Sequence, residues 1–230
     1  MKKEIIYYTC NTHREDIEMA CREQLLKAGL PIISVSREKE IDFGDKRIVV
    51  QGARSSEMMH RQVLAGLEES DADQIFLCES DVLYHPSHFE FDLPSGENAY
   101  YYNTNVWKYW VDDGLCVWVD VMQQVSGMTA NKDLALQHYR SRVARIDKEG
   151  KFSIKWGFEP GGKKLPLGFD DYPRFNYQST VSNVCIRHGE TLTKSKRSPD
   201  EFRNEKYAKG FKTAKEIPGW GDIAKLLEDR

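Results

Sequence analysis

The sequence lacks any apolar run of the roughly 18 residues that a membrane-spanning helix requires. Its longest apolar stretches have the length of a strand, as at residues 75–78. The apolar run at residues 5–8 is too short for the hydrophobic region of a secretory signal peptide, which takes about 7–15 residues. These absences predict a cytoplasmic protein without a membrane span.

Cysteine is scarce and scattered along the chain. There are five cysteines, and no two of them form a Cys-x-x-Cys pair. An odd, scattered count argues against a disulfide framework and against a structural zinc site. We therefore expect reduced cysteines that behave as small buried apolar side chains.

Several glycine-based signatures of known enzymes are missing. The chain has neither a Gly-x-Gly-x-x-Gly motif nor a P-loop, which argues against a nicotinamide-dependent Rossmann dehydrogenase and a P-loop kinase. A Gly-x-Ser-x-Gly motif is also absent, which argues against a serine hydrolase of that type.

Neither sign of charge dominates the composition. The chain has 33 basic and 36 acidic residues, which gives a formal net charge of -3. This balance excludes a strongly basic nucleic-acid coat and leaves room for a local basic patch. With 230 residues, of which 40% are hydrophobic, the chain is long and apolar enough for one sizeable core.

Strand and helix signals alternate along the first half of the chain. A Thr12-x-x-Glu15 capping box and a capping Ser55 predict the starts of two helices. Apolar and β-branched segments predict strands at residues 4–9, 30–35, 48–50 and 74–78. This succession predicts an α/β fold with a mainly parallel, Rossmann-like mixed sheet flanked by helices in a single domain.

The second half of the chain has shorter apolar segments that are richer in aromatic residues. Aromatic and β-branched segments predict shorter strands at residues 100–103, 107–110 and 116–121. Asn131 can cap a helix that runs to about residue 146. A short helix at residues 222–227 ends the pattern.

An acidic triplet directly follows the most apolar predicted strand. Glu79 and Asp81 stand two residues apart in Glu79-Ser80-Asp81. Ligands of open α/β sheets bind at the carboxyl ends of the strands, and hard oxygen ligands suit Mg²⁺ or Mn²⁺. The triplet therefore predicts a divalent cation that neutralises a diphosphate, and the alternative is an acidic turn that merely ends a strand.

Glu79-Ser80-Asp81 resembles the metal-binding DXD motif of the GT-A glycosyltransferases, with Glu in place of the commoner first Asp. Residues 7–11 resemble the first strand and loop that hold the nucleoside in that family. Residues 159–161 and 186–189 resemble short motifs of small bacterial and phage-encoded nucleotide-sugar glycosyltransferases. The resemblance covers residues 4–193 in the order of its elements.

The resemblance implies a GT-A-like fold and a metal-dependent transfer of sugar from a nucleotide-sugar, UDP-linked in our interpretation, to a hydroxyl acceptor. It implies a nucleotide-sugar-binding half at residues 1–95 and an acceptor-side half of the same domain at 96–193. Residues 194–230 would form a basic C-terminal segment with a short docked helix. A phage-encoded member would act in the host cytoplasm.

The candidate donor-binding residues lie in the first half of the chain. Thr9 and Asn11 would hold the nucleoside, and either of two arginines near strand ends could pair with phosphate through its fork of donors. Those arginines equally fit surface salt bridges. The full donor-binding set is Thr9, Asn11, Arg14, Arg54, Gln62 and Ser80.

The resemblance implies a Mn²⁺ or Mg²⁺ site made by Glu79, Asp81 and His188. A neutral imidazole is an acceptable ligand when its other nitrogen has an orienting acceptor. His188 equally fits a structural histidine beside a strand. The sequence assigns no role to the remaining histidines, which are His13, His60, His85, His88 and His138.

Glu159 and Asp171 are the candidate catalytic bases. Transfer with inversion needs a base that removes the acceptor hydroxyl proton. Glu159 stands on a Pro-Gly loop, and Asp171 has Asp170 beside it, so that one carboxyl can raise the pKa of the other. Each also fits a solvated loop acid, and transfer with retention needs no such base.

The acceptor has two candidates. The likeness to phage-encoded enzymes implies duplex DNA with hydroxymethylated pyrimidines, whose phosphates would contact basic residues at 194–197 and 206–215. The competing acceptor is a cell-surface glycan or a lipid-linked glycan, which the net charge of -3 mildly favours. A nucleotidyltransferase and a non-catalytic nucleotide-sugar-binding module are the alternatives from other classes.

Overall fold

The computed structural model describes residues 1–118, 122–161, 172–191, 197–204 and 211–228. The predicted base Asp171 and, within the predicted basic segment, residues 194–196, 205–210 and 229–230 lie outside these residues. In chain order the strands are β1 (Lys3–Thr9), β2 (Ile32–Arg37), β3 (Lys46–Val50), β4 (Gln74–Glu79), β5 (Val82–Leu83), β6 (Tyr100–Asn103), β7 (Val106–Trp110), β8 (Leu115–Trp118), β9 (Met128–Asn131), β10 (Arg174–Tyr177), β11 (Asn183–Arg187) and β12 (Lys212–Ala214). The α-helices are α1 (Glu15–Leu26), α2 (Ser56–Glu69), α3 (Lys132–Glu149), α4 (Pro199–Arg203) and α5 (Ile223–Glu228).

The larger sheet has seven strands in the order β10-β6-β9-β4-β1-β2-β3. The pairs β1–β2, β1–β4, β2–β3 and β6–β10 are parallel. In contrast, β9 runs antiparallel to both β4 and β6. The predicted α/β fold with a mainly parallel mixed sheet is therefore confirmed.

The smaller sheet has five strands in the order β12-β8-β7-β11-β5. Its central pair, β7 and β11, is parallel, with Cys185 opposite Lys108. The short strand β5 follows β4 after the turn at Ser80 and Asp81 and pairs with β11. This connection joins the carboxyl end of β4 to the second sheet.

Successive side chains of β1 pack in two different apolar clusters, because side chains along a strand point alternately to the two faces of the sheet. Ile6 belongs to the apolar cluster that contains Val63 of α2 and Tyr139 of α3. Ile5 belongs to the cluster that contains Leu25 of α1. Helices thus cover both faces of the larger sheet, and its middle strand is buried on both sides. No helix among the described residues is both long and apolar enough to cross a membrane.

The two predicted caps of α2 and α3 are confirmed. The Ser55 hydroxyl accepts a hydrogen bond from the Met58 amide at 3.1 Å. The Asn131 side chain accepts from the amides of Asp133 and Leu134 at 3.0 and 3.2 Å. In each case the side-chain oxygen satisfies a helix amide that has no partner within the helix.

The predicted capping box at Thr12 was wrong. Helix α1 begins at Glu15, its N-cap residue is Arg14, and no side chain caps it. Asn11 adopts a left-handed conformation with φ of 59°, and this turn separates the segment that follows β1 from the helix. The Thr12 hydroxyl contacts the Cys10 thiol at 3.1 Å instead.

Candidate active site

A cavity of about 390 Å³ opens at the carboxyl ends of β1 and β4. Because these strands are parallel neighbours, with Tyr8 opposite Glu79, the residues that follow them emerge at the same edge of the sheet. The smaller sheet closes the opposite side with Lys108 and Arg187. The cavity therefore lies where ligands of open α/β sheets bind.

Glu79 ends β4 and faces Tyr8. The Tyr8 hydroxyl donates a hydrogen bond to the Glu79 carboxylate at 3.0 Å. Burial and the negative charge of Asp81 raise the pKa of Glu79 to about 7, against the hydrogen bond from Tyr8 and the charge of His13. A carboxyl with this pKa exchanges its proton near neutral pH.

Asp81 and His188 come together across the two sheets, as the metal prediction requires. The Asp81 Oδ2 atom lies 3.6 Å from the His188 Nε2 atom, and both side chains are at least nine-tenths buried. Neither ring nitrogen of His188 has a hydrogen-bond partner among the described residues. Both ring nitrogens of His188 are therefore available to a ligand.

His13 joins Asp81 and His188, although the sequence assigned it no role. Potential ligand atoms of these three side chains all lie within 4.8 Å of one another. The rings of His13 and His188 meet edge to face with centroids 4.6 Å apart. Glu79 is not part of this cluster of potential ligands, and its assignment as a direct metal ligand stays a prediction.

The expectation for the cysteines was correct at four positions and wrong at Cys10. All five cysteines are free, and four of them are buried. Cys10 is half-buried and lines the cavity, with its sulfur 3.1 Å from the His13 Nε2 atom. Burial raises the pKa of Cys10, but hydrogen bonds from His13 and Thr12 and the charge of His13 outweigh it and lower the pKa to about 7.

Of the two predicted phosphate-binding arginines, the structure places one in the cavity. Arg54 lines it and donates hydrogen bonds to the main-chain carbonyl of Glu190 and, at 3.4 Å, to its carboxylate. Arg14 is not among the residues that line the cavity. It pairs with Asp16 at 2.5 Å, with half of its side chain exposed, as a surface salt bridge would.

Three cations that the sequence did not single out also line the cavity: Arg37, Lys108 and Arg187. Arg37 donates hydrogen bonds to the carbonyl oxygens of Cys10 and Gly52 at 3.1 and 3.2 Å. Lys108 forms no ion pair with any acid that the structure describes, and burial with the nearby charge of Arg187 lowers its pKa. These side chains supply basic groups on both sides of the cavity, from β2 of the larger sheet and from β7 and β11 of the smaller one.

The predicted nucleoside-binding residues hold the loop that follows β1. The Thr9 hydroxyl donates to Glu18 at 2.9 Å and accepts from the Asn11 amide at 2.9 Å. The Gln62 side-chain amide donates to the carbonyl oxygens of Thr9 and Val35 at 2.7 and 3.1 Å. Of the predicted residues in this group, Gln62 lines the cavity, and Thr9 and Asn11 do not.

Ser80 lines the cavity and contacts the His13 Nδ1 atom through its hydroxyl at 3.1 Å. The predicted donor-binding serine is thus an immediate partner of the His13 ring. Through this contact the turn after β4 is tied to the loop after β1.

Glu159 lines the cavity. Its loop is held by hydrogen bonds from two buried side chains. The Tyr102 hydroxyl donates to the Pro160 carbonyl oxygen at 2.6 Å. The buried Arg142 donates to the Gly157 carbonyl oxygen, also at 2.6 Å. The carboxylate therefore stands on a positioned segment, as a catalytic base requires.

Sequence comparisons identify no relatives: no protein-family model matches this chain, and no curated protein matches it. Solved structures with a similar fold exist. The glycosyltransferase GlyE of Streptococcus pneumoniae TIGR4 is 11% identical with a TM-score of 0.44, and the match covers 77% of this chain and 45% of GlyE. This chain thus spans less than half the length of GlyE.

Two further solved structures have a comparable similarity. A glycosyltransferase involved in the glycosylation of the major capsid of PBCV-1 is 11% identical with a TM-score of 0.44, and the match covers 76% of this chain and 81% of that one. The inositol-1-phosphate CTP transferase from T. maritima is 13% identical with a TM-score of 0.44, with 91% and 97% covered. At these values the likeness assigns no donor, acceptor or residue role.

Proposed function

We propose that this protein is a metal-dependent glycosyltransferase that moves a sugar from a nucleotide-sugar, UDP-linked, to a hydroxyl acceptor. One observation carries the proposal. The cavity at the carboxyl edge of the larger sheet is lined by Asp81, whose carboxylate lies 3.6 Å from the buried His188, and by cations that include Lys108 and Arg54. A metal-bound diphosphate needs both kinds of group.

The residues present fit a divalent cation. The unpartnered nitrogens of His188 and the neighbouring Asp81 carboxylate supply donors that Mn²⁺ accepts, and Mg²⁺ would rely on the carboxylate. When bound, the cation would act as a Lewis acid that stabilises the charge developing on the leaving diphosphate. Asp81 and His188 would hold it from the turn after β4 and the segment after β11.

The remaining side chains of the cavity divide between donor and acceptor. Gln62 fixes the carbonyl of Thr9 and thereby the loop on which the nucleoside would rest. Arg54 and Lys108 would bind phosphate oxygens through charge-assisted hydrogen bonds. In this proposal residues 1–95 form the donor half, and residues 96–193 form the acceptor side.

Glu159 is the base in this proposal if the reaction inverts configuration, and Asp171 is the second candidate. The Glu159 carboxylate would take the proton of the acceptor hydroxyl while the hydroxyl oxygen attacks the anomeric carbon. The diphosphate then leaves with the electron pair of the broken glycosidic bond. Anchoring of the Glu159 loop by Tyr102 supports this role.

For the acceptor we propose duplex DNA with hydroxymethylated pyrimidines, because a hydroxymethyl group is a suitable nucleophile and the C-terminal segment is rich in lysine. Chromatography on immobilised duplex DNA tests this choice. Retention that falls steeply with added salt supports a phosphate-contacting surface. A protein that passes unretained at low salt contradicts the DNA acceptor and favours the competing one, a surface or lipid-linked glycan.

The donor site is tested first, by thermal unfolding with a panel of nucleoside diphosphates, with and without Mn²⁺. A ligand that binds only the folded state raises its apparent stability. We expect UDP to raise the melting temperature only with metal, and Asp81→Ala to abolish the shift. The exposed Asp112→Ala is the matched control.

A lack of any metal-dependent shift contradicts the proposal. A metal-dependent shift combined with a UDP-sugar that stays unchanged after long incubation with acceptor favours a non-catalytic binding module. Release of pyrophosphate from a nucleoside triphosphate and a sugar phosphate identifies a nucleotidyltransferase instead. The absence of glycine at residues 9–14 disfavours that alternative.

A further inference from the structure

The cluster of His13, Asp81 and His188 draws on three separate parts of the chain. His13 lies between β1 and α1, Asp81 lies between β4 and β5, and His188 follows β11. Their potential ligand atoms lie within 4.8 Å of one another. Ligands at about 2.0–2.2 Å from a metal ion lie roughly 3–4 Å apart, so small side-chain movements would bring all three into one coordination sphere.

His188 is the member whose ring nitrogens are open to a ligand. Its side chain is 3% exposed, its Nε2 atom lies 3.6 Å from the Asp81 carboxylate, and neither nitrogen has a hydrogen-bond partner among the described residues. Buried polar atoms in folded proteins almost always have a partner. A metal ion would give one nitrogen its partner, and the nearby Asp81 carboxylate would share the same ion.

His13 is held in place for the same task. One of its ring nitrogens contacts the Ser80 hydroxyl, and the other contacts the Cys10 sulfur, each at 3.1 Å. Metal-binding histidines usually keep a hydrogen bond on the nitrogen that does not bind, which fixes the ring. Whichever nitrogen of His13 meets the ion, the other retains such a contact.

We infer that His13 is the third protein ligand of a metal site with Asp81 and His188, and that this site takes a transition-metal ion such as Mn²⁺, Co²⁺ or Zn²⁺ without nucleotide. Two imidazoles and one carboxylate are a mixed nitrogen and oxygen set, which suits such ions better than Mg²⁺. Three protein ligands with open positions are the arrangement of catalytic zinc sites. The inference rests on the proposed function only in placing the ion beside a diphosphate.

The test is calorimetric titration of the metal-free full-length protein with Mn²⁺, Co²⁺, Zn²⁺ and Mg²⁺, with no nucleotide present. We expect one transition-metal ion per chain and at least about tenfold weaker binding of Mg²⁺. His13→Ala, Asp81→Ala and His188→Ala should each weaken binding by at least the roughly 10- to 100-fold that loss of an outer partner costs. Co²⁺ absorption in the visible range provides an independent reading of the same site.

One variant controls the titration, and a second one distinguishes two ligand sets. His85→Asn removes a histidine outside the cluster and keeps a side-chain acceptor at the cap that His85 provides, so binding should be unchanged. Glu79→Gln should retain the metal ion if His13 is the third ligand and should lose it if Glu79 is. Circular dichroism of each metal-free variant verifies folding, and His13→Gln serves if His13→Ala does not fold.

Unchanged metal affinity in the folded His13 variants overturns the inference, as does equally tight binding of Mg²⁺. Loss of binding in Glu79→Gln with normal binding in His13→Ala establishes the set Glu79, Asp81 and His188 instead. A separate titration with UDP at saturating metal tests the proposed function. A protein that binds Co²⁺ through His13 and ignores every nucleotide upholds this inference and refutes the glycosyltransferase proposal.

Discussion

Tyr8 and Glu79 are paired across the neighbouring strands β1 and β4, and the Tyr8 hydroxyl donates a hydrogen bond to the Glu79 carboxylate at 3.0 Å. Both residues line the cavity. The pair places a carboxyl with a raised pKa two residues before Asp81 in the sequence. The first prediction follows from this pair.

Glu79→Gln should increase the free energy of unfolding at pH 8 and change it less at pH 5. Burial and the charge of Asp81 raise the pKa of Glu79 from 4.5 to about 7. The stability that Glu79 contributes is therefore present below pH 4.5 and lost as the pH rises through about 7. Urea unfolding at both pH values measures the difference in unfolding free energy between the variant and the unchanged protein, which we expect to be on the order of 1–3 kcal/mol at pH 8. A difference in unfolding free energy that grows towards low pH contradicts the raised pKa.

Lys108→Met should weaken UDP binding and stabilise the protein without ligand. Burial and the charge of Arg187 lower the pKa of Lys108, so the folded protein holds this charge at a cost in stability. Loss of a charge-assisted hydrogen bond to phosphate corresponds to ~1.5 kcal/mol, or about tenfold in affinity. Calorimetry with UDP and thermal unfolding measure the two effects. The exposed Lys151→Met is the control, and equal UDP affinity in both variants removes Lys108 from the donor site.

Gln62→Ala should destabilise the fold and weaken donor binding together. The Gln62 amide donates to two carbonyl oxygens, at Thr9 and Val35, and both lose this partner in the variant. Buried acceptors without a partner cost about 1–3 kcal/mol. Urea unfolding of Gln62→Ala beside the exposed Gln51→Ala gives the comparison. An unfolding free energy equal to that of the unchanged protein would show that Gln62 does not support the strand ends.

His60→Leu should reduce the loss of stability in acid. His60 is fully buried, neither of its nitrogens has a partner among the described residues, and burial and the charge of Arg142 lower its pKa well below 6.5. A lowered folded-state pKa means that stability present above pH 6.5 is lost as the pH falls, because the unfolded chain takes up the proton first. The variant should flatten the dependence of the unfolding free energy on pH by up to ~1.4 kcal/mol per pH unit between about pH 6 and 4.

His85→Asn is the matched control for that measurement, because His85 is only partly buried. Its curve between pH 6 and 4 should stay close to that of the unchanged protein. If both histidine variants flatten the curve equally, burial of His60 is not the cause of the acid sensitivity.

The sequence by itself determined five of the seven strands of the larger sheet, all except β9 and β10, and the caps of two helices. Ser55 and Asn131 begin their helices as predicted, because a cap depends on residues within one turn. Thr12 failed as a cap because α1 begins only at Glu15, with Arg14 as its N-cap residue, and the Thr12 hydroxyl contacts the Cys10 thiol instead. The acidic triplet could also be recognised from neighbouring residues alone, because it directly follows an apolar strand.

The tertiary structure alone decided which side chains meet at the cavity. His13, Asp81 and His188 lie far apart in the chain, and their meeting depends on the pairing of β1 with β4 and of β5 with β11. The spacing Cys10-x-x-His13 directly after β1 was the one local signal that could have indicated His13. Lys108 and Arg187 gave no such signal, because the parallel register of β7 and β11 brings them together. Distant strands pair so that the apolar face of a whole sheet is buried. Many residues contribute to that face, and no single motif in the sequence specifies which strands become neighbours.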